Sequence, residues 1–377
     1  MKIEVCSTID EIPADQWDRL VRDNNPFLRH AFLTALEHND CVSQTFGWQP
    51  MHLAAWEGER LVAAMPLYLK ENSYGEFVFD HAWAKAYQHN GLAYYPKLVS
   101  SIPYVPATGQ RMLLAEDLPA AALAQTLYER AVKLAAEVGA SSIHWLFIDE
   151  EESLRHRSQG LMIRNDVQFH WRNRGYTDFD AFLAELNAKR RKNIRRERRR
   201  VAESGLRLQL YHGDEVDDKT WELFARMYEM TFEQRYSLPT LNSSFFKETA
   251  KNMGREVILV LAYEVEEIVA GAWMLRSDDT LYGRHWGCLK EYDSLHFETC
   301  FYQGIEYCIA NGLQRFEPGA QGEHKIWRGF LPTRTYSSHW ISHPEFSDAI
   351  ADFLRREQPV IENYKSQLEA GSPYKKE

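Results

Sequence analysis

The sequence predicts an α+β protein with mixed sheets, built as two diverged copies of one unit. Three observations lead there. Residues 54–65, AAWEGERLVAAM, match residues 261–272, LAYEVEEIVAGA, in the order of apolar residues, acids and small-residue pairs, and each reads as strand, acidic turn, strand. A Tyr-Gly stretch follows each hairpin and reads as a third strand, YGEFVFD at 74–80 and YGRHWG at 282–287. Each copy then closes with a helix and a strand: 118–138 with 141–148, and 297–312 with LQRFEPG.

In the first helix, Leu123, Leu127, Ala131, Leu134 and Val138 share a face, Pro119 fits a first turn and Gly139 a C-terminal cap. SSIHWLFI has the continuous apolar character of a buried strand. Gly312 ends the second helix. A chain of 377 residues, 45% hydrophobic, can bury two cores, so the boundaries are expected at 1–176 and 206–377, with a connecting helix at 177–205.

The connecting segment contains KRRKNIRRERRR, Lys189 to Arg200, with nine cations and one acid. The whole chain carries −10, which leaves −18 for everything outside this run. An acidic body with one basic island lacks the broad positive surface of a general nucleic-acid binder. A cap at Thr177/Asp178 and a thin apolar stripe of Phe182, Leu186, Ile194 and Val201 predict a helix up to Gly205. Lys189, Arg190, Lys192, Arg195 and Arg196 are its candidate anion-binding residues, with phosphate or carboxylate as the natural ligand.

Five cysteines form no CxxC pair and lack the histidine spacing of a zinc site, so reduced thiols and no metal are expected. The N-terminal residues contain acids and Pro13 instead of an apolar leader, and no apolar run reaches membrane-spanning length; a cytoplasmic location is the expectation.

The densest site candidate is FEPGAQGEHKIWRGF, 316–330, where Glu317 ends the strand, Gly319 and Gly322 permit tight turns, and Glu323, His324, Lys325 and Arg328 crowd together. Acylation of an amine needs a group that removes the ammonium proton. His285 and Glu298 are the candidate bases, Tyr302 a candidate acid or a packing residue of its helix, and Lys325 a candidate to stabilise the oxyanion or position a carboxylate, with Arg284 on the strand of His285. In the first copy Asp80, His81, Tyr95, Lys97 and Arg111 lie in a long polar and aromatic connection that suits substrate binding.

Several stretches resemble the FemAB-like family of peptidoglycan biosynthesis or recognition proteins: NPFLRHAFLTALE, YGEFVFDHAWAKAY, YYPKLVSSIPYVPATGQR, QFHWRNRGYTDFDAFLAEL, the basic run, and HFETCFYQGIEYCIANGLQRFEPGAQGEHKIWRGFLPT. The resemblance implies a tandem duplicated GNAT-like (acyl-CoA N-acyltransferase) fold that transfers an acyl or aminoacyl group to an amine, a cell-wall precursor among the acceptors, with Lys325 at the position tied to the reacting centre. It implies acyl-CoA or aminoacyl-tRNA as donor substrate and no tightly bound cofactor. The Gln/Arg-x-x-Gly-x-Gly/Ala loop of CoA-using enzymes is missing from GCLKEYDSLHFE, which moves weight towards an aminoacyl-tRNA or another activated donor. The rival classes are a non-catalytic recognition module and nucleic-acid binding through 189–200.

Overall fold

The structure is a computed structural model that describes residues 1–234, 237–320 and 322–375. The chain packs as two compact units, Met1–Val167 with Arg334–Tyr364, and Gln168–Thr333 with Lys365–Glu377. A division of the sequence at 176 and 205 differs from this in two ways. The basic helix belongs to the second unit, because Ile194 and Val201 are buried in that unit's core. Arg334–Tyr364 returns to the first, where Ile350 and Leu354 pack with Trp83 and Tyr87.

In the first unit, β1 (Lys2–Cys6), β3 (His52–Glu57), β4 (Arg60–Met65) and β7 (Leu113–Leu114) form one antiparallel sheet, in that order. A second sheet runs β2 (Trp48–Pro50), β5 (Tyr68–Lys70), β6 (Lys97–Ser100), β8 (Ser142–Ile148), then the strand Leu331–Ile341, which pairs with β8 from Tyr336 onward. β8 is buried along its whole length, as its apolar run requires. The helix Ala120–Glu137 presents Leu123, Leu127, Ala131 and Leu134 to the core, each buried leucine contributing roughly 1.5–3 kcal/mol. Pro119 takes its N-cap, and Gly139 adopts φ +67° just beyond its end.

The second unit is one sheet in the order β10 (Leu206–His212), β11 (Val257–Glu264), β12 (Glu267–Arg276), β13 (Thr280–Cys288), β14 (Arg315–Glu317), with the end of β9 (Met162–Arg172) beside β14. The repeat is real at the level of register. Hairpin β3–β4 shifts between Ala55 and Trp56, and hairpin β11–β12 shifts between Ala262 and Tyr263, which are matching positions of the repeat. Each unit also has one parallel pair, β6 with β8 and β13 with β14.

The connecting segment is two helices, Phe179–Glu185 and Ala188–Glu203. Leu186 leaves the helix with extended backbone, and Asn187 then caps the second helix through Arg190 N–H. Phe182, Leu186, Ile194 and Val201 are all buried, so the apolar stripe holds despite the break. No helix among the described residues is long and apolar enough to cross a membrane, and none of their His, Cys, Asp and Glu side chains cluster in threes as a metal would need.

One expected strand is a loop. Residues 74–80 form no ladder; Gly75 and Phe77 have positive φ, and a helix, His81–His89, starts straight after Asp80. The alternating pattern was set by charge burial, since the loop turns Glu76 and Asp80 inward to Lys97, which is fully buried. The Lys97 ammonium donates to Glu76 and Ser73, each at 2.8 Å, and to Asp80. Tyr94 Oη donates to Asp80 at 2.7 Å. Burial alone would raise the Asp80 carboxyl, but Lys97 and His144 outweigh it and hold it below the usual carboxylate range. Glu76, further from compensation, is pushed up to about 7 by burial.

Replacing Lys97 by Met leaves two buried carboxylates without their cation, and urea unfolding should show a loss of about 3–5 kcal/mol. Those carboxylates then have raised native pKa values, so the deficit should be larger at pH 8 than at pH 5.

Candidate active site

β13 and β14 run parallel and stay paired from Thr280↔Arg315 to Tyr282↔Glu317, and there they part. β13 continues against β12, with Trp273 opposite His285 and Met274 opposite Gly283, so Arg284 is the extra residue of a bulge. Beyond Glu317 the chain leaves as a loop through Pro318, Gly319 (φ +90°) and Gly322 (φ +115°) into a short 3-10 turn, Glu323–Arg328. Gln321 of the GAQG stretch lies outside the described residues. A side chain at Gly322 would bring its Cβ within 2.5 Å of the His324 ring in a backbone conformation that L-residues avoid. A cavity of about 420 Å³ opens where the strands separate, at the carboxyl ends where α/β sheets place their ligands. Arg284, His285, His324 and Lys325 line it, with Trp273, Trp286, His296, Cys300 and Phe301.

Lys325 is 4% exposed and its ammonium donates to the Gly319 carbonyl at 2.7 Å. Burial, and then the Arg284 charge, lower it to about 7, so it exchanges a proton near neutrality. Arg284 is lowered by burial to about 10 and remains a cation. His285 stacks on Trp273 at 5.6 Å and meets Tyr228 edge-on at 4.9 Å. Burial and Arg284 hold it well below the ordinary imidazole value, which keeps the ring neutral. His324 is lowered by burial, Arg328 and Lys325. Glu317 is buried at the end of β14, 3.9 Å from His170, whose pKa burial lowers to about 3.

Three partners fix the loop. Glu197, the only acid in the basic run, accepts from Arg328 Nη2 at 2.8 Å and from the Tyr302 hydroxyl. Arg328 Nη1 donates to the His324 carbonyl at 2.9 Å, and its guanidinium lies 3.4 Å from the centre of the Phe297 ring. Tyr302 is fully buried. Its place comes from a π-helical turn, Glu298–Tyr302, inserted before the helix Gln303–Ala310.

The structure brings His285, Arg284, Gly322, His324 and Lys325 to one cavity, with Gly319, Arg328 and Tyr302 supporting the loop. Glu298 stands outside it. Its carboxylate is held by Arg198 at 3.0 and 3.2 Å and by Gln303 at 2.9 Å, on a separate cleft of about 740 Å³ lined by Arg195, Arg198 and Arg199. Three of the nine cations in the basic run are matched inside its own unit: Arg198 by Glu298 and Glu306, Arg195 by Asp180, Arg200 by Asp293. Lys189, Lys192 and Arg196 are exposed, and Arg190 lies 4.9 Å over Trp327.

In the first unit Asp80 and Lys97 are sealed in their cluster. His81 and Tyr95 line an open groove of about 540 Å³, with Tyr95 Oη 2.8 Å from Ser73 Oγ. Arg111, 1% exposed, is spent on the carbonyls of Ala107 and Gln110. Glu197, Trp273 and Cys300 were not singled out in the sequence; for Glu197 the signal was there, as one acid inside nine cations. Glu197→Ala leaves the Arg328 guanidinium buried without its carboxylate. Amide hydrogen exchange across 322–330 should accelerate at least about tenfold, while β11 and β12 stay protected.

No curated protein matches the sequence. Among solved structures, the crystal structure of FemX is 12% identical over 93% of this chain and 100% of its own, with a TM-score of 0.54. The C-terminal domain of a putative lysylphosphatidylglycerol synthetase from Agrobacterium fabrum is 11% identical over 91% and 95%, with a TM-score of 0.55. L-PGS from Bacillus licheniformis is 11% identical over 86% and 96%, with a TM-score of 0.50. Likeness at this identity concerns the fold, a tandem duplicated GNAT-like architecture. The family model described as peptidoglycan biosynthesis/recognition matches residues 8–376, and the chain belongs to this FemAB-like family.

Proposed function

We propose that the protein is a transferase that moves an acyl or aminoacyl group from an activated donor to an amine, at the cavity between β13 and β14. The observation that carries this reading is Lys325: a buried amine lowered to about 7, facing a cavity at the parting of two parallel strands. Membership of a family described by peptidoglycan biosynthesis or recognition supports a cell-wall amine as acceptor, and the likeness to FemX and to a putative lysylphosphatidylglycerol synthetase supports the fold. The donor is acyl-CoA or aminoacyl-tRNA.

In the proposed reaction the neutral amine attacks the donor carbonyl, a C–N bond forms, and the bond from the carbonyl carbon to the carrier oxygen or sulfur breaks. Protonated Lys325 donates to the carbonyl oxygen as it gains charge, where a preorganised donor in a desolvated site is worth most. Neutral His285 accepts the proton of the attacking amine directly or through a water and passes it to the departing carrier oxygen or sulfur. Glu298, already engaged by Arg198 and Gln303, is the weaker choice for that step.

Lys325→Met should lower kcat/KM by at least about 10²-fold. Its melting temperature at pH 6 should not fall, because the native lysine binds its proton less tightly than the unfolded one and an ammonium buried at pH 6 is a cost. Full activity in that variant would remove Lys325 from the reaction, whereas no transfer by the wild-type protein would favour a recognition module.

Because Lys325 acts protonated, kcat/KM should decline as pH rises through about 7. His285, held well below the ordinary imidazole value by burial and Arg284, adds no acid limb where Lys325 titrates. A profile flat from pH 6 to 9 would contradict this assignment.

A further inference from the structure

The loop of residues 74–80 in the first unit is built inside out. Its acids face inward, Glu76 and Asp80 onto the buried Lys97, while Tyr74, Phe77 and Phe79 are 43%, 39% and 56% exposed. Among the described residues, every exposed Phe and Tyr of the chain lies on this loop. Burial would ordinarily sort these groups the other way round. The backbone does not require the rings either, since Phe77 sits at φ +59°, where Asn or Gly is the easier residue. Lys97 and Lys70 pin the loop from beneath, the Lys70 ammonium donating to the Tyr74 carbonyl at 3.1 Å. The surface continues past Phe79, 5.9 Å from the His81 ring, to the open groove lined by His81, Lys85, Tyr95 and the exposed Leu92. Exposed Glu71 precedes the loop, and Glu345 and Asp348 lie at the start of the helix that packs on Tyr87 through Phe346. From His81 to Ala115 there is no Asp or Glu, in a chain that holds 54.

We propose that this loop docks the first unit on the surface of a lipid bilayer, with Phe77 and Phe79 entering the boundary between headgroups and acyl chains and Tyr74 at the headgroup level. Area favours lipid over a second protein. At roughly 200 Å² per aromatic side chain, the three rings expose about 300 Å². A stable protein partner covers ~800 Å² of matched surface. Rings at a bilayer interface need no matched surface, and the stretch after Asp80, with Lys85 exposed and no acid of its own, meets lipid phosphates without repulsion. The proposal stands apart from the Lys325 reading, because it concerns the first unit alone.

The test sediments the full chain with vesicles of phosphatidylcholine, and with vesicles of equal parts phosphatidylcholine and phosphatidylglycerol. The wild-type protein should bind the mixed vesicles at least about tenfold tighter than the double variant Phe77→Asn, Phe79→Ser. Both changes are at exposed positions and suit the backbone, and an unchanged circular dichroism spectrum shows that the variant is folded. Lys85→Glu should weaken binding to the mixed vesicles about fivefold and leave binding to phosphatidylcholine alone unchanged. Wild-type protein that stays in the supernatant of both vesicles overturns the proposal, as does a double variant that binds as tightly as wild type. Sedimentation equilibrium without lipid covers the rival occupant: a dimer that the double variant dissolves would assign the loop to a second copy of the chain and overturn the lipid reading.

Discussion

The loop that carries Lys325 depends on one buried ion pair, Glu197 with Arg328, completed by the Tyr302 hydroxyl. Residues 318–330 contain a proline, glycines at positive φ and a single 3-10 turn, so their own backbone bonds fix little. The pair anchors them to the basic helix on one side and to the π-turn on the other. Desolvation offsets most of the Coulomb attraction in such a pair, so its effect is on position more than on stability. With Arg328 in place, the His324 carbonyl is held, and Lys325, one residue on, reaches the Gly319 carbonyl inside the cavity.

The two units show how one fold can treat buried cations in opposite ways. Lys97 and Lys325 are both nearly inaccessible. Lys97 lies among Glu76 and Asp80, which outweigh burial and raise its pKa. Lys325 has Arg284 for a neighbour instead, and burial wins, bringing it to about 7. The first is a structural charge; the second can exchange a proton at physiological pH. Strand geometry follows the same division. After Ser100↔Trp145 the first unit folds its chain back, Gly109 N–H donating to the Phe147 carbonyl, whereas after Tyr282↔Glu317 the second leaves the strands apart.

Charge on the basic helix likewise divides by face. Arg198, Arg195 and Arg200 are matched by acids of their own unit, and Glu197 points to the loop. Arg191 reaches the carbonyls of Ala184 and Leu186 and Arg190 lies over Trp327, while Lys189, Lys192, Arg196 and Arg199 are exposed. Part of a run that reads as one anion-binding block is therefore internal scaffold.

The sequence by itself determined the elements whose periodicity reports burial. The two hairpins, the helix bearing Leu123, Leu127, Ala131 and Leu134, the buried strand 142–148 and the apolar stripe from Phe182 to Val201 are all legible, because side chains on one face of a helix or strand meet the same environment. The 316–330 stretch stood out through its glycines and crowded charges. Residues 74–80 did not declare themselves as a loop, since alternation looks the same whether an acid faces water or a buried lysine 17 to 21 residues away. Only tertiary structure decided which charges pair. Glu298 was claimed by Arg198, Arg111 by nearby carbonyls and Glu197 by Arg328, while Lys325 was left beside another cation, and that pairing sets each group's pKa and role. Electrostatic partners are fixed by distances of a few ångströms between residues up to 131 positions apart, a quantity that local sequence pattern does not encode.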